Sequence, residues 1–81
     1  MIPNSPSDAT RRAFHDLIAT LAARLTEKGI PDEKADRLAT TVWTSVEGAL
    51  IVSRALRSPE PFDMTIDLLT AAADAAADGD R

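Results

Sequence analysis

The sequence has no cysteine, only one histidine, and 4% aromatic residues. Without cysteine there are no disulfides and no thiolate metal sites, which fits a reducing compartment. His15 cannot assemble a metal site by itself, and no cofactor is expected. No stretch approaches the roughly 18 consecutive apolar residues that a membrane span requires. Met1-Ile2-Pro3-Asn4-Ser5-Pro6 has neither the basic start nor the apolar run of a secretory signal. The expectation is a cytoplasmic protein without membrane contact. Basic clusters are also lacking, since nine Lys and Arg are scattered beyond the Arg11-Arg12 pair and net charge is −4. Nucleic-acid binding draws much of its affinity from such clusters, so this chain alone is not expected to bind DNA. Nor does it carry a nucleophile–base pair, a metal set or a phosphate loop, so it does not read as an enzyme.

What remains is helical, and punctuation divides it. Residues 1–6 read as a disordered leader, after which Ser5 or Ser7 could cap a helix over about 7–28. Gly29 supplies the stop. Ile30-Pro31-Asp32 is a tight connection into a second helix over about 32–57, whose end carries Arg54 and Arg57 at the negative pole of the dipole. Ser58-Pro59-Glu60-Pro61 opens a third helix over about 59–77, with Ser58 as the cap. Residues 78–81 are expected to fray. The fold class is all-α, with residues 7–77 forming one domain.

Spacing residues at about 100° shows what each helix must bury. The first has one stripe, Phe14, Leu17, Ile18, Leu21 and Leu25, with Arg24 among the residues that lie away from it. The second has a core face from Ala35 through Leu38, Ala39, Val42, Val46, Ala49, Leu50 and Ser53 to Leu56, with Trp43 on its edge. Roughly opposite lie Thr44, Gly48, Ile51, Val52 and Ala55. The third pairs a face of Phe62, Ile66, Leu69 and Ala73 with a second one of Met64, Leu68, Ala71, Ala72 and Ala75. Two helices with apolar surface on two sides cannot both be satisfied within three helices, and exposed patches of that kind mark interfaces. Each buried Leu, Ile, Met or Phe contributes roughly 1.5–3 kcal/mol. In so small a domain that favours a twofold dimer in which the last two helices of each chain form a four-helix bundle. Gly48 costs about 1 kcal/mol relative to alanine inside a helix, and close approach of a partner helix gives it a reason. The expected interface is Thr44, Gly48, Ile51, Val52, Ala55, Met64, Leu68, Ala71 and Ala75.

Other residues have plainer readings. Ser53 and Ser45 are expected to return their hydroxyls to the carbonyl four residues back. The strip of Asp63, Asp67, Asp74 and Asp78 is a solvated face, because one straight helix converges ligands on a hard cation poorly.

The run Gly29-Ile30-Pro31-Asp32-Glu33-Lys34-Ala35, with Leu38-Ala39, Val46-Glu47-Gly48-Ala49-Leu50-Ile51 and Arg54-Ala55-Leu56-Arg57-Ser58, resembles the C-terminal domain of TetR/AcrR-type transcriptional repressors. The LmrA/YxaF-like subgroup is the nearest in flavour, over residues 13 to 76. The resemblance implies a dimer through the last two helices and a pocket for a small hydrophobic effector, whose occupancy resets the spacing of two DNA-reading heads. Those heads belong to an N-terminal helix-turn-helix domain that residues 1–81 do not contain. Phe14, Trp43 and Glu47 are the candidate pocket residues, although Trp43 also reads as core edge and Glu47 as a boundary carboxylate. The expected function is therefore the dimerisation and partial effector-sensing region of a TetR-like regulator. The alternative is a stand-alone helical module that forms mixed dimers with a full-length repressor.

Overall fold

In the computed structural model, which describes residues 6–78, three helices follow one another: α1 (Pro6–Glu27), α2 (Asp32–Leu56) and α3 (Glu60–Asp78). No strand occurs among the described residues. Pro6, expected in the leader, is instead the first residue of α1. Proline suits that position because its φ is preset and a first-turn N–H has no partner to lose. Asp78, expected in the tail, closes α3. Ser7 lies inside α1, while Ser5 and the rest of the leader and tail fall outside the described residues.

The two turns share one hydrogen-bond pattern. After α1, the Ile30 N–H donates to the Leu25 carbonyl (3.1 Å) and the Gly29 N–H to that of Thr26 (3.0 Å). Gly29 sits at φ 100°, open to glycine at no steric cost. This is a Schellman stop, and it brings Ile30 back over Leu25. Both are buried, Ile30 to 2% exposure. The sequence reading had Ile30 only as part of a connection; it is the largest fully buried side chain of the described residues. After α2, the Ser58 N–H donates to the Ser53 carbonyl (3.0 Å) and the Arg57 N–H to that of Arg54 (3.2 Å). Here the left-handed position, φ 53°, is held by Arg57.

The start of α3 leaves no backbone donor idle. The Glu60 N–H donates to Ser58 Oγ (3.2 Å), Pro61 has no N–H, and the Phe62 N–H donates to Ser53 Oγ (3.0 Å). Asp63 then opens the helical ladder onto the Pro59 carbonyl (3.0 Å). Ser58 thus serves as a cap. Ser53 does not make the expected bond to the carbonyl four residues back; its Oγ instead accepts an orphan donor nine residues on. The i−4 bond occurs instead at Thr40, to Asp36, and at Thr41, to Arg37 (both 2.9 Å).

The hairpin of α2 and α3 is antiparallel. Phe62 at the head of α3 meets Ser53 late in α2, and Ala76 and Ala77 at its tail pack against the cluster containing Ala35 and Ala39. That cluster, with Ala22, Leu25 and Ile30, is the core. It lies at the end of the molecule where α1 turns into α2. No residue of α3 is fully buried.

Both α1 and α3 pack chiefly on α2 and hardly on each other. The Cα positions fill a slab of 47 × 34 × 13 Å. Two helix layers about 8–10 Å apart use up the thin direction, so every helix keeps an open side. Leu56, expected in the core, is 65% exposed. It is the last residue of α2, and the chain reverses just beyond it, so nothing in this chain closes over it. Leu17 is also an exception to its stripe at 39% exposure, whereas Leu25 is buried and Phe14, Ile18 and Leu21 are half-buried.

Candidate functional site

The nine residues expected at an interface are all exposed within this chain. Among the large ones, Ile51 is 65%, Met64 58% and Leu68 72% exposed. The two stripes also lie on one side of the α2–α3 hairpin. At about 100° per residue, the stripe centred on Gly48 and Ala55 is turned some 160° from the Ala35–Ala39–Trp43 face that receives α1. On α3, running the opposite way, the Met64–Leu68 stripe turns to that same side, and Asp63, Asp67 and Asp74 turn to the side of α1. The result is a two-helix apolar platform. At its middle, a Cβ built on Gly48 meets nothing within 4 Å. No neighbour within this chain therefore requires a glycine there.

On the other side lie the concavities. Phe14, Trp43 and Glu47 come together, with Ile18 and Thr44, around one cleft of about 330 Å³ between α1 and α2. It is apolar apart from the exposed Glu47 carboxylate and the Thr44 hydroxyl. A second cleft of about 590 Å³ is walled by Leu17, Leu21 and Trp43, with Asp16 and Arg24 at its rim. A third, of about 310 Å³, lies where α1 faces α3, over Leu25, Ile30 and Ala73. Leu21 and Arg24 line both of these, so the two form one groove along α1. The sequence reading missed Arg24, which the helical wheel turns away from the stripe. Its signal was the four-residue step to Lys28, visible only once α3 supplies the opposite wall. Trp43 borders two of the clefts. Its Nε1–H is buried and finds no acceptor among the described residues, a state that costs about 1–3 kcal/mol for a donor removed from water.

Elsewhere the chemistry is sparse. His15 is exposed, and Ser45 is half-buried. Asp63, Asp67, Asp74 and Asp78 are exposed along one face of α3, and no group of three or more candidate metal ligands occurs among the described residues. No described helix is long and apolar enough to cross a membrane. Arg11 and Asp8 form an ion pair at 3.9 Å on the surface of α1, of little energetic weight.

The arrangement is that of a small helical unit with exposed apolar side chains on one side and shallow clefts on the other. No curated protein and no solved structure matches the chain. Residues 3–67, which take in α1, α2 and the first turns of α3, match the family described as "Transcriptional regulator LmrA/YxaF-like, C-terminal domain". On that match, which spans most of its length, the chain belongs to the LmrA/YxaF-like C-terminal domain family of TetR-type transcriptional regulators.

Proposed function

We propose that these residues are the dimerisation and partial effector-sensing region of a TetR-like transcriptional regulator, paired with a second copy through α2 and α3. The observation that carries the reading is the apolar platform. Ile51, Val52, Met64 and Leu68 stand exposed on one side of a hairpin whose third helix has no buried residue. Burying each is worth roughly 1.5–3 kcal/mol, and twofold symmetry counts each of them twice. Because these side chains are already partly covered, each gains roughly half to two-thirds of that figure, and the sum is of the same order as the loss of free motion on association, about 4–15 kcal/mol. Facing platforms give a four-helix bundle, and Gly48 lets the facing helix come close. Thr44, Ala55, Ala71 and Ala75 complete the surface with small side chains.

The effector side is the cleft of Phe14, Trp43 and Glu47, which suits a small hydrophobic molecule. Its walls come from α1 and α2, and α2 also carries the platform. A ligand that prefers one spacing of α1 against α2 thereby biases the pose of the two subunits, as differential affinity for two states requires. A cytoplasmic location and the absence of direct DNA contact by this chain belong to the same reading.

Light scattering over a dilution series, with helicity followed in parallel, tests it. The expected result is a mass near twice the 8.6 kDa of one chain, with helicity lost together with the dimer. A helical monomer that persists at every concentration refutes the pairing.

A further inference from the structure

We propose that the groove along α1, which faces Trp43 of α2 at its wider part and α3 at its narrower part, binds an amphipathic anion, an apolar chain ending in a carboxylate, with Arg24 and Lys28 holding the carboxylate. The groove is distinct from the Phe14–Glu47 cleft. Its floor is apolar, from Leu17 and Leu21 to Leu25, Ile30 and Ala73. Its two parts, of about 590 and 310 Å³, each fall in the range of small-molecule sites.

The charge at the narrower end decides the ligand. Arg24 and Lys28 stand one helical turn apart on the same wall. Among the described residues neither has an acidic group at ion-pair distance. Asp74 and Thr70 line the facing wall on α3, so two cations oppose one carboxylate there. Asp16, the other acid of the groove, lies two turns further back along α1. The carbonyls of Leu25 and Thr26, which would repel an anion near the end of α1, are occupied by the N–H groups of Lys28, Ile30 and Gly29. Both cations are exposed, so they meet the carboxylate with little prior desolvation, and a bifurcated head can take a bond from each.

This proposal rests neither on the dimer nor on the Phe14–Glu47 cleft. The test uses one tail with three heads: dodecanoate, dodecan-1-ol and dodecylammonium, each kept below the concentration at which it aggregates. Trp43 is the only tryptophan and borders both the groove and the Phe14–Glu47 cleft, so its fluorescence reports binding at either and the variants below tell them apart. Dodecanoate is expected to bind about tenfold tighter than the alcohol, the margin of one hydrogen bond to a charged group. Arg24→Gln with Lys28→Gln, both at exposed positions, should erase that margin while leaving the alcohol's affinity and the helicity unchanged. Glu47→Gln should leave dodecanoate binding as it is. Equal affinity for the three heads, tightest binding of the ammonium, or no binding at all overturns the proposal. So does a loss of dodecanoate binding in Glu47→Gln, which moves the site to the other cleft. Light scattering on the same samples separates the two readings, because a monomer that still selects dodecanoate fails only the dimer.

Discussion

The two ends of α2 are closed by the same turn geometry and stabilised by opposite means. At the first turn, glycine occupies the left-handed position and Leu25 and Ile30 meet beneath it, both buried. At the second, Arg57 occupies that position, and Ser53 and Ser58 stand where Leu25 and Ile30 stand in the first. These serines do not build a core. They accept the N–H groups of Phe62 and Glu60 and so set α3 against α2. One end is closed by burial, the other by hydrogen bonds alone, and the second leaves Ile51, Leu56 and Met64 in solvent. A helical hairpin can therefore be well directed without being well buried. Direction comes from the capping groups, whereas the proposed pairing would supply the missing burial.

Seven variants probe the contrast, from the largest expected effect downward, with Leu56→Ala set beside Ile30→Ala as its control. Met64→Asp with Leu68→Asp places two charges on the platform of the open end. The expected outcome is a monomer or an unfolded chain by light scattering and circular dichroism, and an intact dimer would remove the platform from the interface. Gly48→Leu tests the same surface at its middle. Ile30→Ala strikes the closed end and should cost about 2–4 kcal/mol in urea unfolding, as for other fully buried Ile truncations. Leu56→Ala, its counterpart in the open turn, should change the stability of the isolated chain by less than about 0.5 kcal/mol, in keeping with an exposed position. Ser53→Ala strands the Phe62 N–H and should cost about 1–2 kcal/mol, with fraying of α3 detectable by amide exchange. At the two left-handed positions opposite signs are expected. Gly29→Ala should lose about 1 kcal/mol, and Arg57→Gly should gain about 0.5–1 kcal/mol through relief of a conformation that L-residues disfavour.

Much of this was legible in the residues. Gly29, Pro31 and the Ser58-Pro59 step punctuate the chain within a residue or so of the helix ends, because stops and caps are local chemistry. The stripes on α2 and α3 followed from periodicity alone. Ile30 was passed over because a wheel treats a residue after the stop as loop, although the Schellman turn folds that residue back onto the helix. Leu56 was placed in the core because the wheel assumes equal cover along a helix, and the last turn has none. Ser53 was misread because its partner, Phe62, belongs to the next helix. For the Phe14–Trp43–Glu47 cleft, residues chosen from a family resemblance do surround one space, though geometry alone does not assign them a ligand. The Arg24–Lys28 groove needed α3 in place. Contacts between elements far apart in sequence, such as Ala77 against the Ala35–Ala39 cluster, leave no periodic trace.

The core also has an unusual direction of vulnerability. Of the six buried hydrophobic residues among those described, four are alanines: Ala22, Ala35, Ala39 and Ala49. Truncation, the common route by which cores weaken, has almost nothing to remove at such positions. Growth is the damaging route, because one or two added carbons wedge apart helices that approach closely only through bare methyl groups. Sequence drift in this fold is thus constrained from above in size at its centre.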